Sequence, residues 1–396
     1  MENRYQYIKI QGEEKRYFCL QQNPFTLAWL LFFKKNTLLP LTTRKTFRKW
    51  SRQWIKDEIW NFYYFYRINF SKLSSFISCK FGSKKIDAIV ELPFYGQVCV
   101  LVNKGYKILD LYRGVAIKIY REDVDIPSVA AELERLKKGN LFDFAPSIKR
   151  WDINERWYEE DYISGSLDRS DEAQETSVML NKFSKDIIPC LGKLISRQSP
   201  IIVNSVDYVV KLKKAMEDIS FWRRGVDGKK MRRILDFIHS MVERVSVEVN
   251  TPVYLVLAHG DFCSANMLNT KKGLRVIDWE SAAYRSALFD FYSYLFFRPL
   301  HQKLPLDKLI PEIREALRLY IFKLDSIDPD ISKNVKDQWK IYRLLFYIER
   351  IFMLVEREKY DTKLNIMDHM LRFIGVFNYY EELTASHPEI LSCSNV

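Results

Sequence analysis

The chain has 396 residues, 47% of them hydrophobic and only 13 of them glycine, which suits one large two-part domain or a few smaller units and argues against a chain made of tight turns. Lys and Arg number 62 against 50 Asp and Glu, a net charge of +12, so anionic partners are favoured without a choice among nucleotide, nucleic acid and membrane surface. Cysteines at 19, 79, 99, 190, 263 and 393 stand far apart with no CxxC pair, which argues against a zinc site and leaves reduced thiols as the expectation.

Residues 1–5 lack the basic-then-apolar pattern of an export signal. The apolar run at 25–33 falls well short of the roughly 20 residues needed to span a bilayer. A cytoplasmic protein is expected. From residue 34 to residue 85 there are thirteen Lys or Arg against Asp57 and Glu58. Within that stretch, residues 43–67 read as a helix mixing basic residues with Phe47, Trp50, Trp54, Trp60, Phe62 and Tyr66. Three readings stay open for it: a helix packed on the main domain, an interfacial helix on anionic lipid, or a nucleic-acid surface. The first is favoured and the last is the weakest.

Residues 1–87 thus form a basic, aromatic-rich region. Residues 88–165 change character. Val98–Val102, 106–111 and Val115–Tyr120 are short apolar runs broken at Lys104-Gly105 and Arg113-Gly114, which predicts an antiparallel meander. Residues 128–138 follow as a helix with Val129, Leu133 and Leu136 on one face, and 157–163 as a further strand. From 166 to 396 the pattern is mainly helical, with apolar residues at helical spacing in 178–196, 230–247, 308–324 and 335–356. The exception is 252–280, where two short apolar strands flank a polar loop. The predicted fold is α+β: a small antiparallel β lobe followed by a larger, mainly helical lobe.

The polar loop carries the chemistry. It reads His259-Gly260-Asp261-Phe262-Cys263-Ser264-Ala265-Asn266, followed by Val276-Ile277-Asp278-Trp279-Glu280. Asp261, Asn266 and Asp278 place three oxygen-bearing side chains just beyond strand ends. Phosphoryl transfer needs such groups: a carboxylate to accept the proton of the attacking hydroxyl, and hard oxygens to hold magnesium. Singly, an Asp or Asn in a loop is a turn former or a cap, and a lone His is a core residue. It is the joint spacing that points to a site.

HGDxxxxN, then a strand and IDWE, resembles the signature of the aminoglycoside phosphotransferases and choline kinases, and is similar to the catalytic loop and metal-binding Asp of protein kinases. The resemblance implies a two-lobed protein kinase-like fold using ATP and Mg2+. By it, Asp261 is the catalytic base, Asn266 and Asp278 are magnesium ligands, and His259 and Asp290 are structural. Glu280 could hold metal or only cap. Upstream, Lys118 on the third strand is the phosphate lysine. Its partner on the next helix is Glu132 or Glu134, with Glu132 favoured. Asn103 and Gly105 mark the phosphate-covering hairpin, which has one glycine instead of the GxGxxG run. Residues 160–165, with Asp161 in the usual Glu place and Ile163 beyond it, resemble the hinge whose backbone meets adenine. The acceptor wall is expected from residues 290–300 and from Trp339, Tyr342, Phe346, Tyr347, Glu349 and Arg350. The expected reaction is transfer of the γ-phosphoryl group to a hydroxyl of a small molecule, sugar or glycoconjugate. The alternatives are a non-catalytic nucleotide-binding module and, less favoured, a protein kinase. HGD, DWE and the absence of an APE-terminated activation segment stand against the latter.

Overall fold

The computed structural model describes residues 4–10, 15–33, 53–82, 88–167, 176–217, 227–247, 251–302, 306–358 and 366–386. It divides into two units. One comprises Met1–Asn140, Pro146–Leu167 and Leu268–Arg275; the other comprises Leu141–Ala145, Asp168–Met267 and Val276–Val396.

The first unit is built on strands β1 (Tyr5–Ile8), β2 (Arg16–Cys19), β3 (Ile89–Leu92), β4 (Val98–Val102), β5 (Gly105–Asp110), β6 (Val115–Tyr120), β7 (Ile148–Asp152) and β8 (Trp157–Asp161). They form one antiparallel sheet in the order β3-β1-β2-β4-β5-β6-β8-β7. Successive strand residues point to opposite faces, and here both faces are covered. Tyr7, Cys19, Cys99, Ile108 and Ile117 share one cluster. Their neighbours Ile8, Phe18 and Val98 point the other way and pack on Leu27, Leu30 and Leu31 of α1 (Pro24–Phe33) and on Phe76 and Cys79 of α2 (Gln53–Lys80). Side-chain bonds fasten these helices. Asn69 Nδ2 donates to Leu31 O at 3.3 Å, and Lys80 Nζ donates to Leu20 O at 2.9 Å and Gln22 O at 2.7 Å. The first 87 residues therefore supply strands and a helical cover to the same sheet that carries the expected meander. Residues 34–52, with much of the basic run, lie outside the described residues.

Helix α3 (Ile126–Lys137) starts where Asp125 accepts hydrogen bonds from Ser128 N and Oγ, both at 2.8 Å, with proline in its first turn. A side-chain oxygen there satisfies a backbone N–H that has no helical partner. Val129, Glu132, Leu133 and Leu136 face inward.

The second unit holds helices α4 (Thr176–Lys182), α5 (Ile188–Ser196), α6 (Ser205–Glu217), α7 (Gly228–Val247), α8 (Phe289–Gln302), α9 (Leu306–Asp325), α10 (Pro329–Glu358) and α11 (Ile366–Ser386). Strands β10 (Ile201–Asn204), β11 (Pro252–Ala258) and β14 (Ala283–Ser286) also lie in it, whereas β9 (Ser166–Leu167) and most of β12 (Met267–Thr270) and β13 (Gly273–Val276) fall in the first unit. β11 is the centre of the small sheet β10-β11-β14. Aromatic packing joins α8, α10 and α11: Phe296 meets Phe346 at 5.7 Å and Phe377 at 5.4 Å, and Tyr347 stacks on Phe377 at 4.2 Å between ring centroids. Such pairs add specificity to the area they bury.

This core corrects one expectation. Tyr342, Phe346 and Tyr347 are at most 1% exposed, so they are packing residues and not the wall of an acceptor pocket. Glu349 is fully buried as well. Its carboxylate accepts from Ser286 N at 2.8 Å, Ser286 Oγ at 2.5 Å and Tyr208 OH at 2.6 Å, tying α10 to β14 and α6. Among the described residues no helix is long and apolar enough to cross a membrane.

Candidate active site

Strand β11 delivers His259-Gly260-Asp261 at its end, and the backbone there is held from below. Asp290, at the start of α8, is buried and accepts from His259 N at 2.6 Å and Gly260 N at 3.0 Å. Burial pushes its carboxyl up to about 7, and the two N–H donors and Arg285 only partly oppose this. Gly260 sits at φ +88°, and a Cβ there would lie 2.3 Å from Ser281 O. Only glycine allows both the left-handed turn and the close approach.

His259 is fully buried. Its Nδ1 accepts from Asp261 N at 3.2 Å and its Nε2 lies 3.0 Å from Ile277 O. An acceptor role at Nδ1 assigns the proton to Nε2, so the ring is a neutral strut between the two halves of the loop. Trp279 packs edge-on to it at 4.8 Å and anchors its own Nε1 on Val276 O at 2.9 Å.

Asn266 closes the loop back on Asp261. Its Nδ2 donates to Asp261 O at 2.9 Å and Oδ2 at 3.2 Å, which directs the amide oxygen away from Asp261. Its backbone O accepts from Ile277 N at 2.9 Å, bringing Asn266 next to the residue before Asp278. Asp278 is exposed and adopts a left-handed backbone, φ 70° and ψ 58°. Non-glycine residues are uncommon in that region, and Asp is among those that enter it most readily. Asn266 and Asp278 offer hard oxygens of the kind magnesium takes, and that ion needs few protein ligands because it keeps its waters. Among the described residues, no group of three or more His, Cys, Asp or Glu forms a metal cluster. Glu280 is half-buried in the turn after Asp278.

One further contact at this loop is absent from the sequence reading. Arg350 of α10 places Nη2 at 3.3 Å from Asp261 Oδ1 and donates Nη1 to Gly260 O at 3.2 Å. Its guanidinium also lies 5.0 Å from the ring centroid of Phe373. Nearby Cys263 is buried, and its thiol is pushed up to about 12, first by burial and then by the charge of Asp261. It is a packing thiol and not a nucleophile.

The first unit brings Lys118 and Glu132 together. Lys118 Nζ lies 2.5 Å from Glu132 Oε1, Tyr120 OH donates to the same oxygen at 2.7 Å, and Lys104 Nζ lies 2.6 Å from Oε2. Burial would raise the Glu132 carboxyl, but the two ammonium groups outweigh it and hold the group well below the usual carboxylate range. Glu134, the other candidate, is exposed and pairs with Lys137 at 2.9 Å. Asn103 and Lys104 are the two-residue turn between β4 and β5, and Asn103 is exposed. Gly105 pairs with Tyr120, and a Cβ there would come within 1.9 Å of Ile119 O. Asp161 ends β8. Its carboxylate pairs with Lys149 at 2.6 Å and accepts from Ser147 N at 3.2 Å. Ile163 is half-buried two residues beyond.

Comparison with known proteins gives the following. The family model described as Phosphotransferase enzyme family, APH, matches residues 224–318. No curated protein matches the chain in sequence. Among solved structures, a choline kinase from Cryptosporidium parvum Iowa II aligns at 16% identity and a TM-score of 0.48, covering 70% of this chain and 84% of that one. A Plasmodium vivax ethanolamine kinase aligns at 14% identity and 0.46, covering 72% and 80%. A glucosamine kinase in complex with glucosamine, ADP and inorganic phosphate aligns at 16% identity and 0.44, covering 75% and 77%. The stretch matched by the phosphotransferase enzyme family's model, residues 224–318, contains Asp261, Asn266, Asp278 and Asp290 and the loop they hold together.

Proposed function

We propose that this phosphotransferase moves the γ-phosphoryl group of ATP, with Mg2+, to an alcohol group of a small molecule or sugar. The observation that carries the reading is the braced loop, in which Asn266 holds Asp261 and Ile277 ties Asn266 to the turn of Asp278. Asp261 accepts a hydrogen bond from the acceptor hydroxyl and takes its proton as the oxygen bonds to the γ-phosphorus. The bond from that phosphorus to the bridging oxygen breaks, and ADP leaves with the electron pair. Asn266 and Asp278 would hold magnesium, which when bound offsets the charge on the phosphates. Lys118, fixed by Glu132, binds phosphate oxygens, and the backbone from Asp161 to Ile163 meets the adenine edge. Positioning and charge supply most of the catalysis.

Arg350 supports an uncharged acceptor such as a sugar. A cation placed against Asp261 meets a guanidinium already 3.3 Å from its carboxylate. A glycoconjugate at an anionic membrane face is the finer form of this reading. It draws on Arg67, Phe70, Ile77 and Phe81, which are exposed at helical spacing along and just past α2. Co-sedimentation with anionic vesicles unchanged by a Phe70→Ser, Phe81→Ser double variant would remove the membrane part.

The test of the main reading is ADP release with Mg-ATP across a panel of neutral sugars, amino sugars, aminoglycosides, choline-like amines and lipid-linked glycans. Acceptor-dependent release that Asp261→Asn abolishes is the expected result. Release that the variant leaves intact would contradict the assignment of the base.

A further inference from the structure

In the proposed nucleotide site the β4–β5 hairpin is the cover for the phosphates, yet it is not a glycine cradle. Its turn is two residues long, and its one glycine is used up elsewhere: Gly105 lets the hairpin lie against Ile119 O, where a Cβ would meet that oxygen at 1.9 Å. A loop of that kind cannot wrap phosphates in successive backbone N–H groups. Charge has to come from a side chain.

Lys104 is built to bring it. Its backbone O accepts from Arg121 N at 2.9 Å, so the turn is pinned to the end of β6. Its Nζ reaches Glu132 Oε2 at 2.6 Å, the second oxygen of the carboxylate whose first oxygen holds Lys118 at 2.5 Å. Glu132 is fully buried, so it fixes both ammonium groups from beneath. Of the two side chains Lys104 is the more accessible, 20% exposed against 10% for Lys118. Two cations thus converge on one carboxylate from a strand and from the hairpin over it. That is a preorganised site for the oxygens of a polyphosphate.

We infer that Lys104 is a second phosphate-binding cation of the nucleotide site, acting beside Lys118 from the tip of the β4–β5 hairpin. The inference rests on the nucleotide-binding reading above. It differs from a purely structural role, in which Lys104 only steadies α3, because it separates polyphosphate affinity from affinity for the nucleoside.

The experiment titrates the full chain with Mg-ATP and, separately, with adenosine, in the wild type, Lys104→Met, Lys104→Arg and Lys118→Met. Lys104→Met is expected to weaken Mg-ATP about tenfold or more, the scale of a lost charge-assisted hydrogen bond. Adenosine binding stays unchanged, and Lys104→Arg recovers most of the loss. Should Lys104→Met fail to fold, Lys104→Gln is read for the same contrast. Mg-ATP binding unaltered in Lys104→Met but weakened in Lys118→Met would overturn the inference and leave the nucleotide reading standing. Equal losses for ATP and adenosine would also overturn it, by showing that the lobe itself is disturbed. A wild type that binds no Mg-ATP would sink both together.

Discussion

The two candidate centres are held in opposite ways. At Glu132, side chains hold side chains: one buried carboxylate fixes Lys118, Lys104 and Tyr120, and the surrounding strands and helix are regular. At Asp261, side chains hold backbone: Asp290 takes two main-chain N–H groups, His259 and Asn266 bridge to main-chain atoms, and Gly260 and Asp278 occupy left-handed conformations. A centre built on charge fails when charge is removed. One built on an unusual loop fails when the shape of the loop is lost, even if its acids remain. Electrostatic anchoring suits a group that must grip an anion, and backbone bracing suits one that must stay put while a proton moves.

Substitutions can break this contrast at several strengths. Asp261→Asn removes the proposed base and its charge against Arg350 while leaving the bonds of Asp290 to the loop backbone, and is expected to lower the turnover number by about 10²- to 10⁴-fold with only a small change in melting temperature. A large thermal loss would mean that Asp261 is structural. Glu132→Gln leaves two lysines around a neutral amide in a fully buried position. Losing one partner of a buried ion pair costs about 3–5 kcal/mol, seen as a fall in the denaturation midpoint; a smaller effect would show that the lysines relax to solvent.

Asp290→Asn probes the brace through pH. The carboxyl rises from its ordinary 3.8 to about 7 in the fold, so between those values the folded chain holds a proton that the unfolded chain has released. Stability from this group is therefore full below about pH 4 and declines as pH rises to about 7. Melting temperatures across that window should fall for the wild type and flatten for Asp290→Asn relative to it. Parallel slopes would place the titration elsewhere. The smallest effect is expected at Glu134, exposed and paired with Lys137: Glu134→Gln should stay within about 0.5 kcal/mol of the wild type.

Legibility in the sequence followed locality. The meander from Val98 to Tyr120 was readable because alternating apolar residues stop at Gly105 and Gly114. The loop was readable because its groups stand a few residues apart. The strands β1, β2 and β3 were not, since both faces of the sheet are covered and pairs such as Tyr5 with Leu92 join distant segments. Arg350 was expected only in the acceptor wall; its reach to Asp261 across 89 residues from within a helix has no local mark. Lys104 was visible only as a residue of the hairpin turn; its contact with Glu132 comes from the way the hairpin seats on β6. The aromatic positions 342, 346 and 347 misled as an acceptor wall because a helix rich in aromatics reads alike whether it lines a pocket or fills a core.

The most direct measurement is detection of the phosphorylated acceptor itself, by mass spectrometry, after incubating the chain with Mg-ATP and each panel compound. A phosphate monoester formed by the wild type and lost in Asp261→Asn, with Mg-ATP binding retained in both, is the predicted result. The same monoester formed at the wild-type rate by Asp261→Asn would contradict the account, because the transfer would then not depend on the loop around which the site is built.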